Sequence, residues 1–114
     1  MKEARTKSRN ELLPGTLEML ILKTLSIEPM HGYGIAQHIQ MLSADVLRIE
    51  EGSLYPALQR MLVKGWVSAE WKISVNNRRA RFYTLTAAGR KQLGVEETRF
   101  CQMFGAIMRV MKMT

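Results

Sequence analysis

The chain has 114 residues, room for one domain, and no apolar run approaches the ~18 residues that a membrane span needs. The first eleven residues are polar and charged, which predicts no secretory signal and a cytoplasmic location, and the single cysteine, Cys101, excludes an internal disulfide. Seventeen Lys/Arg against ten Asp/Glu leave a net charge of +7, concentrated in two places. Lys2, Arg5, Lys7 and Arg9 form a basic arm opposed only by Glu3, and the six basic residues from Lys72 to Lys91 include no acid among them. Such clusters attract a polyanion, or form a solvated basic face; their position on the fold has to decide.

Pro14 suits the first position of a helix, and Leu13, Leu17, Leu20, Ile21 and Leu25 recur at helical steps until Glu28-Pro29. A second helix is expected over 32–42, with Tyr33, Ala36, Ile39 and Leu42 inward and Gly32 and Gly34 allowing close packing. A short extended piece, 46–50, leads into a third helix opened by Glu51-Gly52-Ser53. Leu54, Ala57, Leu58, Met61 and Leu62 form its apolar stripe, and Gly65 closes it. Pro56 is read as lying in the first turn, where it would remove no hydrogen bond.

Strict alternation marks a strand: Val67, Ala69, Trp71, Ile73 and Val75 against Ser68, Glu70, Lys72 and Ser74. Asn76-Asn77 is a turn, 79–85 returns as a second strand, and Thr86 caps a last helix reaching the C-terminus. Trp66 and Trp71 read as core or base-of-hairpin residues, although an exposed Trp can stack on a flat ligand. The order predicts a mainly α (α+β) fold: a winged helix-turn-helix with a two- or three-stranded wing and a C-terminal dimerisation helix. Residues 1–11 read as a basic arm, 12–86 as the winged domain and 87–114 as the dimerisation helix.

In a helix-turn-helix the second helix of the motif enters the major groove. Here its polar side would present Ser53, Tyr55, Gln59, Arg60 and Lys64. Gln and Arg suit base edges; Ser53 and Tyr55 suit phosphates. The wing tip, Asn76, Asn77, Arg78 and Arg79 with Arg81 beside it, suits backbone or a narrow minor groove. On the last helix, Leu93, Phe100 and Ile107 fall at seven-residue steps, Phe104 and Met111 occupy the other seam position, and Met108 adds apolar surface. Pairing with a second copy covers this surface; folding back onto the same domain is the alternative.

His31 and His38 lie too far apart for a helical metal pair, and Cys101 reads as a packed side chain. No catalytic, cofactor or metal signature is present, so no enzyme activity, cofactor or metal is expected. A winged-helix interaction module for a protein or RNA is the alternative function; a small basic RNA-binding protein is a third, for which the hairpin is read as lacking the exposed aromatic platform that stacks bases.

Leu13-Pro14-Gly15-Thr16-Leu17, His31-Gly32-Tyr33-Gly34-Ile35, Gly52-Ser53-Leu54-Tyr55-Pro56-Ala57-Leu58, Lys64-Gly65-Trp66 and Arg81-Phe82-Tyr83-Thr84-Leu85-Thr86-Ala87-Ala88-Gly89 follow one another in order. Together, over about residues 12 to 90, they resemble the PadR family of transcription regulators. The resemblance implies a winged helix-turn-helix repressor whose C-terminal helix joins the partner subunit, and a twofold homodimer would read an approximately palindromic operator in double-stranded DNA. The resemblance assigns DNA contacts to Ser53 and Tyr55, and backbone contacts to Tyr33 and Gln37. It also implies a small-molecule effector, often bound in a cavity at the dimer interface. The chain is similar to the short branch of the family, and Glu51 stands where the family has proline or serine.

Overall fold

Helix α1 (Thr16–Leu25) begins after Gly15, whose φ of 85° is the left-handed conformation that glycine adopts without strain. The computed structural model describes residues 15–113, so Leu13, Pro14 and the basic arm lie outside the described residues. The helix ends at Ser26, ahead of Glu28-Pro29, because Ile27 already stands outside the helical pattern and exposed. Its buried residues are Ile21, Leu22, Thr24 and Leu25.

Strand β1 (Met30–His31) leads directly into helix α2 (Gly32–Leu42), and His31 caps that helix by accepting the Gly34 N–H on Nδ1 at 2.9 Å. Gly32, Ile35 and Ile39 face inward. Tyr33 and Leu42 do not, contrary to the sequence reading, and are 66% and 73% exposed. Tyr33 is about 100° around the helix from Gly32. Leu42 is in phase with Ile35 and Ile39 but sits on the last helical residue, past the end of the core.

The extended piece expected over 46–50 is not a strand; the third strand of the sheet is β1, upstream of α2. Left-handed Ala44 and Asp45 turn the chain after α2, and Gln40 donates to Asp45 Oδ1 while Ser43 Oγ accepts the Leu47 N–H, both at 2.9 Å. That local bonding takes the segment away from the sheet edge. Helix α3 (Glu51–Val63) follows, packing Leu54, Ala57, Leu58 and Met61 into the core and closing at left-handed Gly65 (φ 78°). Because the helix starts at Glu51, Pro56 lies in its second turn and not its first, and the Gly52 carbonyl loses its helical donor. Gly52 is exposed, so that oxygen faces solvent and is not buried without a partner.

Strands β2 (Val67–Ile73) and β3 (Arg79–Leu85) pair antiparallel, from Val67 opposite Leu85 to Ile73 opposite Arg79, and β1 adds to the far edge of β3. Asn77 takes φ 59° in the turn, as its residue type allows. One face of the hairpin carries Val67, Ala69, Tyr83 and Leu85 over the core and continues outward as Trp71, Ile73, Arg79 and Arg81. The alternation seen in the sequence is therefore real, but only its inner half is covered. Trp71 is 57% exposed and is not a core residue; Trp66, by contrast, packs against the core.

Thr86 caps helix α4 (Ala87–Met111), accepting the Gly89 N–H at 3.0 Å. Gly89 and Leu93 are buried, and the helix then continues with exposed apolar side chains. A Cβ on Gly89 would collide with the Trp66 carbonyl oxygen and lie 2.7 Å from Leu85 Cδ1, whereas one on Gly94 would meet nothing within 4 Å. Gly89→Ala should therefore destabilise the fold by about 1–3 kcal/mol through overpacking. Gly94→Ala should be neutral or stabilising by up to about 1 kcal/mol. Urea unfolding of the two variants checks the pair; equal effects would place the α4–hairpin contact elsewhere.

Candidate nucleic-acid interface

Two adjoining hollows open on the surface where α2, α3 and the hairpin meet. One, of about 430 Å³, is lined by His31 from β1, by Gly32, Tyr33 and Tyr55 from the helices and by Trp71, Asn76, Arg78, Arg79, Arg81 and Tyr83 from the hairpin. The other, of about 500 Å³, lies between α2 and α3 and includes Gln37, Gln40, Glu51 and Leu54. Tyr33 and Tyr55 line both. Residues separated by some 50 positions in sequence thus form one continuous polar and aromatic surface.

Tyr55 is its centre. Its ring lies against the first turn of α2, where a Cβ on Gly32 would come within 2.6 Å of the hydroxyl. Only glycine leaves that space. Burial raises the Tyr55 pKa above the usual phenol value, and Glu51 and then Tyr83 add to the effect. The hydroxyl accordingly stays protonated in neutral solution and can donate to an anionic oxygen.

The hairpin supplies the charge. Arg79 Cζ lies 4.7 Å from the Trp71 ring centre and Arg81 Cζ lies 6.0 Å from that of Tyr83, both on the face that continues from the core. Among the described residues, Arg78, Arg79 and Arg81 have no carboxylate partner. Unpaired guanidinium groups on a concave wall favour a polyanion over a neutral ligand.

Around α3, steps of about 100° place Gly52, Pro56, Gln59 and Val63 opposite the buried stripe. Gln59 is exposed and close to the middle of that outward face, while Ser53 and Tyr55 lie on its opposite flanks. The helix has no side-chain cap at Glu50, so the first N–H groups remain available to an anion. Two of the expected reading residues are engaged elsewhere. Arg60 donates through Nε and Nη2 to Glu18 Oε2 on α1, at 3.1 and 2.9 Å. Lys64 is the residue after α3, with Nζ 4.6 Å from the Trp66 ring centre. Ser53, Gln59 and Asn77 are exposed but line neither hollow. Trp71, His31 and Gly32 belong to the surface without having been expected there. The continued alternation of β2 beyond Ala69 was the available signal for Trp71.

On α4 the expected seam divides. Leu93 is 7% exposed and belongs to the chain's own core, so it leaves almost no area for a partner. Glu97, one heptad before Phe104 and the polar break in that seam position, lies 3.7 Å from Lys23 on α1. The first heptad thus packs within the chain. Beyond it Phe100, Phe104, Ile107 and Met111 are exposed, with the Phe100 and Phe104 rings stacked at 6.0 Å, and Met108 is half-buried. Cys101 is also exposed, not packed as the sequence suggested. Among the described residues, no group of His, Cys, Asp and Glu could hold a metal, and no helix is long and apolar enough to cross a membrane.

Comparison with known proteins points the same way. The family model described as "Transcriptional regulator PadR-like family" matches residues 21–95. An uncharacterised protein of Lysinibacillus sphaericus is 26% identical over 85 residues, 75% of this chain and 78% of the relative. A PadR family transcriptional regulator from Eggerthella lenta superposes with a TM-score of 0.72 at 26% identity, covering 88% of this chain and 85% of that one. A PadR-like transcription factor from Bacteroides fragilis superposes with a TM-score of 0.68 at 27% identity, covering 96% and 99%.

The Glu18–Arg60 pair separates holding the interface from reading with it. With the Arg60 side chain 53% exposed and that of Glu18 14% exposed, the pair should contribute about 0.2–1 kcal/mol. Arg60→Ala and Glu18→Ala should each lower stability by about that amount, and the double variant should lose little more. Base preference should stay unchanged in Arg60→Ala; relaxed preference without a stability change would make Arg60 a reader.

Proposed function

The chain belongs to the PadR-like family of transcriptional regulators and so is a DNA-binding regulator, and we propose that it represses transcription as a homodimer on an approximately palindromic operator. The observation carrying this reading is the single surface shared by Tyr33, Tyr55 and the unpaired wing arginines. In this arrangement α3 enters the major groove, with Gln59 toward base edges. Ser53, Tyr33, Tyr55 and Gln37 contact backbone, and Asn76, Asn77, Arg78, Arg79 and Arg81 follow the phosphates or the minor groove beside it. Residues 12–86 hold the DNA, α4 from Phe100 onward holds the partner, and the basic arm over 1–11 adds phosphate contacts.

The exposed side of α4 from Phe100 onward supports pairing with a second copy, because a helix with this much uncovered apolar surface is ordinarily buried. Between α1 and α4 an apolar hollow of about 320 Å³ is lined by Met19, Phe100, Met103 and Ile107, with Glu96 and Arg99 at its rim. A small apolar effector bound there would act on the helix that sets the spacing of the two reading heads. It releases DNA only if it binds the DNA-incompetent arrangement more tightly.

Selection of bound fragments from random duplex DNA tests the proposal. Two inverted half-sites about 10 base pairs apart, or a multiple of that, are expected; an isolated half-site or no enrichment contradicts it. Arg78→Ala with Arg79→Ala should weaken binding to all duplexes and flatten the dependence of log K on log salt by roughly two. Gln59→Ala should instead relax preference at one base position, and a uniform loss on every duplex would remove Gln59 from base reading.

A further inference from the structure

Resting on the DNA-binding reading above, we infer that Trp71 is a working part of the interface: a positioning residue that holds the Arg79 guanidinium toward a phosphate while its own ring lies against deoxyribose. The hairpin has two faces, each with cations over aromatic rings, and they differ in charge. On the outer face Lys72 Nζ lies 5.5 Å from the Phe82 ring centre, and the same Nζ lies 3.6 Å from Glu70, which pairs across the strands with Phe82. That face is close to neutral. On the inner face Trp71 pairs with Arg81, Ile73 pairs with Arg79, and no acid is present from Val67 to Ile73 or from Arg79 to Leu85 on that side.

Trp71 and Ile73 are 57% and 64% exposed, at the point where the face leaves the core and borders the hollow beside Tyr55. A ring so exposed is not part of the fold's packing. The guanidinium lies over the ring, and among the described residues its N–H donors have no hydrogen-bond partner, so they are free for a phosphate. A flexible arginine would lose most of its rotamers on meeting a phosphate; one already resting on a ring has fewer to lose. The charge of the neighbouring Arg78 and Arg81 selects the occupant as a polyanion, and the apolar Trp71–Ile73 edge matches the sugar walls of duplex DNA.

The test measures duplex affinity and its salt dependence for the full chain and for Trp71→Ala, Trp71→Phe, Arg79→Ala and the double variant W71A/R79A. Trp71→Ala should weaken binding about two- to fivefold. It should also flatten the salt slope by up to about one, with its thermal unfolding unchanged. Trp71→Phe should recover most of the affinity, and adding Trp71→Ala to Arg79→Ala should cost less than Trp71→Ala costs alone. In a Trp66→Phe background the emission of Trp71, then the single tryptophan, should change on adding duplex. Fully additive losses, or a Trp71 emission indifferent to DNA, would overturn this inference alone. Failure of the unaltered chain to bind duplex would overturn it together with the DNA-binding reading.

Discussion

The core of this chain is too small for the elements built on it. Thirteen buried apolar side chains serve four helices and three strands among the described residues. The two longest extensions, the β2–β3 hairpin and α4, both begin inside that core and run out of it. Each keeps the same face as it leaves: Val67 and Ala69 give way to Trp71 and Ile73, and Leu93 gives way to Phe100 and Ile107. What the side chains become beyond the core decides what each overhang can meet. The hairpin turns aromatic and cationic, which suits a polyanion; the helix stays apolar, which suits a second copy of itself.

Between the overhangs stands α3, held by its stripe from Leu54 to Met61 and by the Arg60–Glu18 pair. Its outward face is correspondingly poor in fixed charge, with Gly52, Pro56, Gln59 and Val63 at its centre. The division of labour follows from this. In the proposed complex, long-range attraction would come from the wing and be insensitive to sequence, whereas discrimination would fall to few groups near Gln59 and the amino end of the helix. Glu50 and Glu51 sit at that end and oppose phosphate, so the wing's charge has to outweigh them.

Sequence periodicity was sufficient for the helices, the hairpin, the Asn77 turn and the Thr86 cap, because each depends on neighbours a few residues away. It could not say how far the core reaches, and the misreadings share that cause. Tyr33 and Leu42 continue apolar patterns that point inward, and Trp71 continues one that left core and exposed positions both open; each lies where the pattern outruns its cover. Leu93 was assigned to the partner for the complementary reason, since a heptad does not show which of its turns packs at home. Long-range pairs such as Arg60 with Glu18, and β1 with β3, depend on tertiary approach and leave no local trace. The resemblance to PadR regulators implied an outward role for Tyr33, where spacing alone puts it inside, and Tyr33 is exposed and lines both hollows with Tyr55.

The account stands or falls on the hollow between α2, α3 and the wing being where duplex DNA lies. Backbone amide chemical shifts of the isotopically labelled chain, followed as duplex is added, report this directly. Saturable shifts are expected at Gly32 to Gln37, at Gly52 to Gln59 and at Asn76 to Arg81, with Met103 to Met111 unaffected. Shifts confined to α4, or spread evenly over every basic residue without saturation, would contradict it.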